Sequence, residues 1–367
     1  MTSFDEGGET VVGNREQVAS LCNFVPPYVQ RVVAQHAEGD DAAERRLNDN
    51  ARKRRTAALK ECAATEDEPA VSRAALPTTG TSRREVYDSG NTDQQRVKLI
   101  RAEGGPETDD TDALNAYDNA GIVRKFYSEV LDRVSIDDRG MDLILNVHYG
   151  AKFNNAFWDG DEMTFGDGDG VIFSGFARSL DVVAHELAHG VTQFTSALVY
   201  SKESGALNEH YSDVFGTTIT QWSDGSSPAH SDWLIGDEIM GPDLYGEALR
   251  SMAHPGTAYD NPIMGKDPQP AHYDNRYKGT ADNGGVHINS GIPNRAFYLA
   301  AMEMGDTVEA ARIWYHALHF LPVDATFVQA AAQIATSARI LVKSGAATKG
   351  AAQIVRDAWR TVGVITP

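Results

Sequence analysis

The chain has 367 residues, enough for two ordinary domains and a shorter extra segment. Its hydrophobic fraction of 41% fits a soluble globular protein, and a formal net charge of −19 argues against nucleic acid and anionic membranes as main partners, since both repel a negative surface. No run of about 18 apolar residues offers a membrane span, and both cysteines, Cys22 and Cys62, lie early, so disulfides do not hold the main body together.

Residues 1–17 are polar and acidic and read as a disordered leader, without the basic and apolar regions of a Sec signal peptide. Over 18–37, Pro26-Pro27 precedes apolar residues at helical spacing: Val29, Val32 and Val33. Basic residues crowd between Arg45 and Lys60, either as a solvated helix face or as a segment lying against the acidic body. The stretch 64–84, rich in Thr, Ala, Pro, Gly and Glu, reads as a linker. Strands are predicted at 84–88, 95–101 and 141–149, and a helix over 112–135. The glycine run at 165–170 lacks the Gly-Lys-Ser/Thr of a phosphate loop, and reads as a hairpin turn entering a strand at 171–173. Ala-rich helices are predicted over 181–197, 205–222, 290–304, 306–320, 324–345 and 348–361. The fold class is α+β, with a β-rich half followed by a helical half.

At the junction, residues 185–189 read His-Glu-Leu-Ala-His. Imidazoles four apart on a helix share one face, so both rings reach one metal ion. Zinc lowers the pKa of bound water to about 7, and a neighbouring carboxylate, here Glu186, takes the proton. Catalytic zinc keeps three protein ligands and one open position. Glu209, on the next predicted helix, is placed to be the third ligand. Asp213, one turn on, and Asn208 are placed to accept hydrogen bonds from the ligand imidazoles and fix their tautomers.

The run from His185 to His189, with Gly205-Ala-Leu-Asn-Glu209-His-Tyr-Ser-Asp213, resembles the thermolysin family of gluzincins. Asn154-Asn155-Ala156-Phe157-Trp158 resembles that family's substrate-binding edge strand, Asp282-Asn-Gly-Gly-Val-His287 its second catalytic segment, and Leu249-Arg250 its arginine segment. The likeness runs from about Arg84 to the C-terminus. The leader sequence Phe24-Val-Pro-Pro-Tyr28 resembles the short propeptide of the protealysin-like branch.

The resemblance implies a zincin-type, thermolysin-like two-domain fold. Residues 18–75 would be an inhibitory prosegment removed by self-cleavage near 70–85, 76–195 the β-rich domain carrying the active-site helix, and 196–367 the helical domain. His185, His189 and Glu209 would bind one catalytic zinc, with Glu186 as general base. His287 and Tyr200 would donate to the developing oxyanion, and Asp282 would hold His287. Asn155 and Ala156 would pair with an extended substrate, and Arg250 would bind a primed-side carbonyl. Phe173, Phe176, Val182, Ile235, Ile239 and Leu249 match the specificity pocket; all are apolar, which implies cleavage before bulky hydrophobic residues. Asp181, Asp232 and Asp237 match calcium ligand positions. Thr220, Leu234 and Gly241 stand where the family carries further ligands, so at most one calcium ion is expected.

Cys22 is either a zinc-blocking thiol in the precursor or, more commonly for such a residue, a small buried apolar one. The expected partners are peptide and protein substrates and the chain's own propeptide in cis, with no nucleic acid, no membrane and a monomeric state. Export by a leaderless route is favoured over a cytoplasmic location. Two alternatives stand beside this reading: a catalytically silent protein of the same fold, which the intact Glu186 and His287 argue against, and a zinc aminopeptidase, for which no amine-capturing acidic motif is evident.

Overall fold

The computed structural model describes residues 22–36 and 82–366. Expectations for 1–17, for the basic run from Arg45 to Lys60, for Cys62 and for most of the linker lie outside the described residues.

Six strands form one sheet: β1 Cys22–Asn23, β2 Arg84–Asp88, β3 Lys98–Ala102, β4 Leu143–Val147, β5 Ala156–Trp158 and β6 Met163–Phe165. Their order is β1-β5-β6-β4-β2-β3, so the segment 22–36, called the leader from here on, supplies an edge strand. β4 runs parallel to β2 and β6, and the other pairs are antiparallel. Leu143, Leu145 and Val147 alternate along β4 and are buried. β3 begins at Lys98 rather than at 95, because Arg96 adopts a left-handed conformation (φ 52°) and gives its backbone N–H to Oδ1 of Asn146 at 2.6 Å.

The strand predicted at 171–173 does not form. Oδ1 of Asp169 accepts the backbone N–H groups of Val171, Ile172 and Phe173 at 2.8, 2.7 and 3.3 Å, which takes those donors away from any ladder. Phe173 makes only an isolated bridge to Met240.

The leader continues from β1 into α1, Pro27–His36. Proline suits the first helical position, where its missing N–H would be unsatisfied anyway. Helix α2, Thr111–Leu131, is capped by Asp110, whose Oδ1 accepts from Ala113 N at 3.0 Å. It ends at Leu131 rather than 135 because Asp132 is left-handed (φ 52°). Its buried face, Ala113, Ala116, Tyr117, Ala120, Val123 and Tyr127, repeats at three- and four-residue spacing.

Helix α3, Leu180–Gln193, carries the His-Glu-x-x-His motif and is buried almost throughout. A Cβ at Gly190 would lie 2.5 Å from Ile136 Cγ2 and 3.0 Å from the Trp158 ring. Glycine there lets the helix close on the face of the sheet at β5. The helical half comprises α4 Lys202–Asp224, α5 Ala281–Asn289, α6 Gly291–Met304, α7 Thr307–Leu318, α8 Phe327–Ser344 and α9 Ala351–Thr361. Asp306 caps α7, and Thr326 with Gln329 forms a capping box on α8, which sets their starts later than the pattern alone suggests. The segment α5 was not foreseen: its first half is a run of four left-handed residues, Asp282 to Gly285. One hydrophobic core runs through both halves, and Phe24, Val25, Val29 and Val33 of the leader are part of it.

Candidate metal centre and cleft

Helices α3 and α4 bring His185, His189 and Glu209 together, with donor atoms within 4.8 Å of one another and all three residues buried. Nδ1 of His185 donates to Asp213 Oδ1 at 2.9 Å, and Nδ1 of His189 donates to Asn208 Oδ1 at 2.8 Å. With protons fixed on Nδ1, both Nε2 atoms carry lone pairs. These face each other at 3.1 Å, 3.5 and 3.6 Å from the Glu209 carboxylate. Converging lone pairs and a buried carboxylate repel unless a cation sits between them, and this donor set suits zinc. Burial works against charge on His185, but Asp213 and Glu209 outweigh it and raise its pKa to about 9, so the rings hold a cation between them: a proton on Nε2, or a metal ion in its place. The same negative field favours a divalent ion.

Both carboxylate oxygens of Glu186 are buried without a hydrogen-bond partner, as is Oε2 of Glu209. Burial pushes the Glu186 carboxyl up to about 8, with His185 opposing and Glu209 adding to the shift. Such a group changes protonation near neutral pH.

The left-handed run in α5 folds Asp282 back onto the following turn. Its Oδ2 accepts from the backbone N–H of His287 and Ile288 at 2.9 and 3.2 Å, and its Oδ1 takes the Nδ1 proton of His287 at 2.6 Å. Burial disfavours charge on His287, yet Glu209 and Asp282 raise its pKa to about 9. The charged ring then also donates from Nε2. Tyr200 stands beside it, with its hydroxyl 3.2 Å from Nε2 and donating to Oε1 of Glu209.

The leader fills the cleft. β1 pairs with β5, Cys22 opposite Trp158 and Asn23 opposite Phe157. Nε2 of His287 donates to the Asn23 carbonyl at 3.0 Å. Phe24 N–H donates to the Ala156 carbonyl at 3.1 Å, Val25 N–H to Asn155 Oδ1 at 2.8 Å, and Arg250 to the Phe24 carbonyl at 3.2 Å. The Phe24 ring is fully buried, with ring centroids 5.1 Å from His185 and 6.5 Å from Phe176 and the Arg250 guanidinium 4.9 Å from its centre. Phe173 backs Phe176 at 5.7 Å. Leu249 lines the same spot, while Val182, Ile235 and Ile239 are buried in the surrounding core.

Gly236 and Asn294 carry no signal in the sequence, and neither does the second role of His185 and Arg250. Gly236 (φ 73°) lies against the pocket, where a Cβ would sit 3.0 Å from Phe24 and 3.2 Å from Leu249. His185 and Arg250 serve as pocket walls as well as polar groups. Asn294 donates to Asp213 Oδ2 at 2.8 Å. Cys22 packs in an apolar cluster with Tyr200 and Val286.

Asp181, Asp232 and Asp237 border a cavity of about 270 Å³ together with Asp224 and Glu238. They are not among the groups of described residues whose donors converge within 4.8 Å. Asp181 spends its oxygens on Ser179 and on the Gly236 N–H.

Comparison with known proteins agrees with this geometry. Residues 43–193 match the family model described as thermolysin metallopeptidase, catalytic domain, and 196–364 the one described as its alpha-helical domain. An extracellular metalloprotease of Pectobacterium carotovorum subsp. carotovorum is 45% identical over 289 residues, covering 78% of this chain and 82% of that protein. Protease PrtS of Photorhabdus sp. (strain Az29) is 41% identical, covering 77% of each. The solved precursor of protealysin from Serratia proteamaculans superposes with a TM-score of 0.78 at 39% identity, covering 94% of this chain and 100% of that one. With buried metal-binding chemistry at a helix pair, both family models matched and relatives similar over most of their length, the chain belongs to the thermolysin family of zinc metallopeptidases.

Proposed function

We propose that this chain is the latent precursor of a neutral zinc endopeptidase, with His185, His189 and Glu209 as zinc ligands and residues 18–75 as its prosegment. The observation that carries the reading is the pair of Nε2 atoms facing at 3.1 Å beside the Glu209 carboxylate, with an unpartnered Glu186 alongside. Zinc bound there supplies a water of lowered pKa and polarises a carbonyl oxygen.

The remaining chemistry belongs to the chain. Glu186 takes the proton of the attacking water and passes it to the leaving amine. His287, kept charged and aimed by Asp282, donates to the reacting oxygen together with Tyr200. Donors of this kind act most strongly as negative charge builds, which lowers the barrier. Asn155, Ala156 and Arg250 hold the peptide extended through its backbone, a mode that carries little side-chain information. Selectivity then comes from the apolar pocket of Phe173, Phe176, Val182, Ile235, Ile239 and Leu249, and favours cleavage before a bulky hydrophobic residue.

One calcium ion at most would bind, at Asp181, Asp232 and Asp237; the raised carboxyl of Asp237, at about 6 through burial and repulsion from Asp181 and Asp232, is consistent with a cation-seeking cluster. The named relatives include an extracellular protease, which supports an exported enzyme acting on peptides and proteins. Neither nucleic acid nor membrane is expected as a partner of so acidic a chain.

The test is Glu186→Gln in the full chain. Casein hydrolysis should vanish while bound zinc, measured by atomic absorption, remains. Hydrolysis at the wild-type rate would contradict the mechanism, and exclusive release of N-terminal residues would make it an aminopeptidase.

A further inference from the structure

The leader lies in the cleft in a particular direction. Its carbonyl at Asn23 faces His287, and the carbonyl of the next residue, Phe24, faces Arg250. The intervening N–H of Phe24 is held by Ala156 and the following one by Asn155. The Phe24 ring fills the apolar pocket against Phe176 and beside His185. These are the placements an extended substrate needs: reacting carbonyl at the oxyanion donors, bulky apolar side chain just beyond it, next carbonyl on the arginine. An inhibitor running the opposite way along β5 could not offer successive carbonyls to these two groups in this order.

We propose that the Asn23–Phe24 peptide bond is a hydrolysis site for the chain's own cleft, so that the leader acts as a built-in substrate and not as an inert plug. The proposal rests on the peptidase reading above. Water adds its hydroxyl to the Asn23 carbonyl carbon, Glu186 carries the released proton to the Phe24 nitrogen, and the C–N bond breaks with its electron pair going to that nitrogen. The second proton of the water also passes to that nitrogen, so the products are a carboxylate at Asn23 and an ammonium group at Phe24, and no other reactant is consumed.

The cut does not by itself empty the cleft. On the far side of the bond, Val25, Val29 and Val33 are buried in the main core, and Arg250 and Asn155 hold the Phe24 carbonyl and Val25 N–H. The fragment beginning at Phe24 therefore stays docked as a product-type inhibitor, while on the other side of the bond the described residues Cys22 and Asn23 contribute a two-residue strand, the packing of Cys22 and the Asn23 carbonyl on His287. Latency then outlasts the first cleavage and ends when the primed-side fragment leaves.

Full-length protein is prepared free of zinc, zinc is added, and samples are taken over time for intact mass and N-terminal sequencing, with Glu186→Gln as control. The expected result is a new N-terminus at Phe24 and a fragment of residues 1–23, whether or not the linker is also cut, with that bond intact in the control. As a measurement independent of turnover, amide hydrogen exchange on the zinc-free chain should show slow exchange at Phe24 and Val25. Rapid exchange there overturns the docking register. An Asn23–Phe24 bond that survives while the processed enzyme digests casein overturns this proposal alone. A protein that cuts neither casein nor its own leader overturns the peptidase reading with it.

Discussion

Arg250 and Asp213 form a fully buried pair in which Nε of the guanidinium meets both carboxylate oxygens at 3.1 and 2.9 Å, and a terminal nitrogen meets Oδ1 at 2.9 Å. The same Oδ1 receives the Nδ1 proton of His185. One carboxylate thus orients a proposed metal ligand and the donor that grips the Phe24 carbonyl. Burial opposes charge on Asp213, but Arg250 and His185 hold its carboxyl down at about 2.

Asp213→Ala should therefore fail in two ways. Removing one partner strands the Arg250 charge in the interior, at about 3–5 kcal/mol of stability. It also frees the His185 ring, for a loss of roughly 10–100-fold in zinc affinity. Denaturant unfolding and competition with a zinc-binding dye measure the two separately. A variant with wild-type zinc affinity would show that the hydrogen bond does not orient the ring.

His287→Phe removes a donor whose bond to the reacting oxygen strengthens as charge develops. The expectation is a fall in kcat of about 10²–10³ with little change in KM and zinc retained. A change confined to KM would assign His287 to ground-state binding instead.

Phe24→Ala should weaken latency. Emptying a buried aromatic pocket costs about 3–5 kcal/mol, here from leader docking, since the ring lies wholly between leader and body. The variant precursor should gain activity earlier than wild type after zinc addition. Equal lag times would mean that the ring does not anchor the leader.

His148 links α2 to the glycine run after β6. Its ring donates to Asp167 and Asp110, both at 2.8 Å, and Asp112 lies close by. The hydrogen bond to Asp167, opposed by burial and joined by Asp110, lifts its pKa from 6.5 to about 10. A raised folded-state pKa means that the stabilisation is complete below 6.5 and is lost as pH climbs toward 10. The gap in melting temperature between wild type and His148→Gln should accordingly narrow from pH 6 to pH 10. A gap that does not change with pH would show that the ring acts through packing alone.

What was legible in the sequence was local. The His185–His189 spacing and the Glu209–Asp213 spacing each lie within one helix, so periodicity alone places the groups on one face. The partners of Asp213 were not all legible: Arg250 and Asn294 arrive from distant segments, and no pattern links them to it. The Asp282–Gly285 turn shows two glycines in the sequence, but its left-handed Asp282 and Asn283 do not follow from residue type. The false strand at 171–173 has an apolar pattern suited to a strand, and only the position of the Asp169 carboxylate shows why those amides never pair. Strands of two or three residues, such as β1 and β5, are too short to carry a period at all.

The brevity of β5 has a consequence of its own. Once the leader departs, the outer edge of this strand loses its ladder partner and opens to water. An open edge invites pairing between molecules, which long flat strands turn into aggregates. Ala156–Trp158 offers only three residues, closed at one end by the Asn155 side chain and backed by α3. That is room for a single extended guest in transit, and too little to template a growing stack of copies.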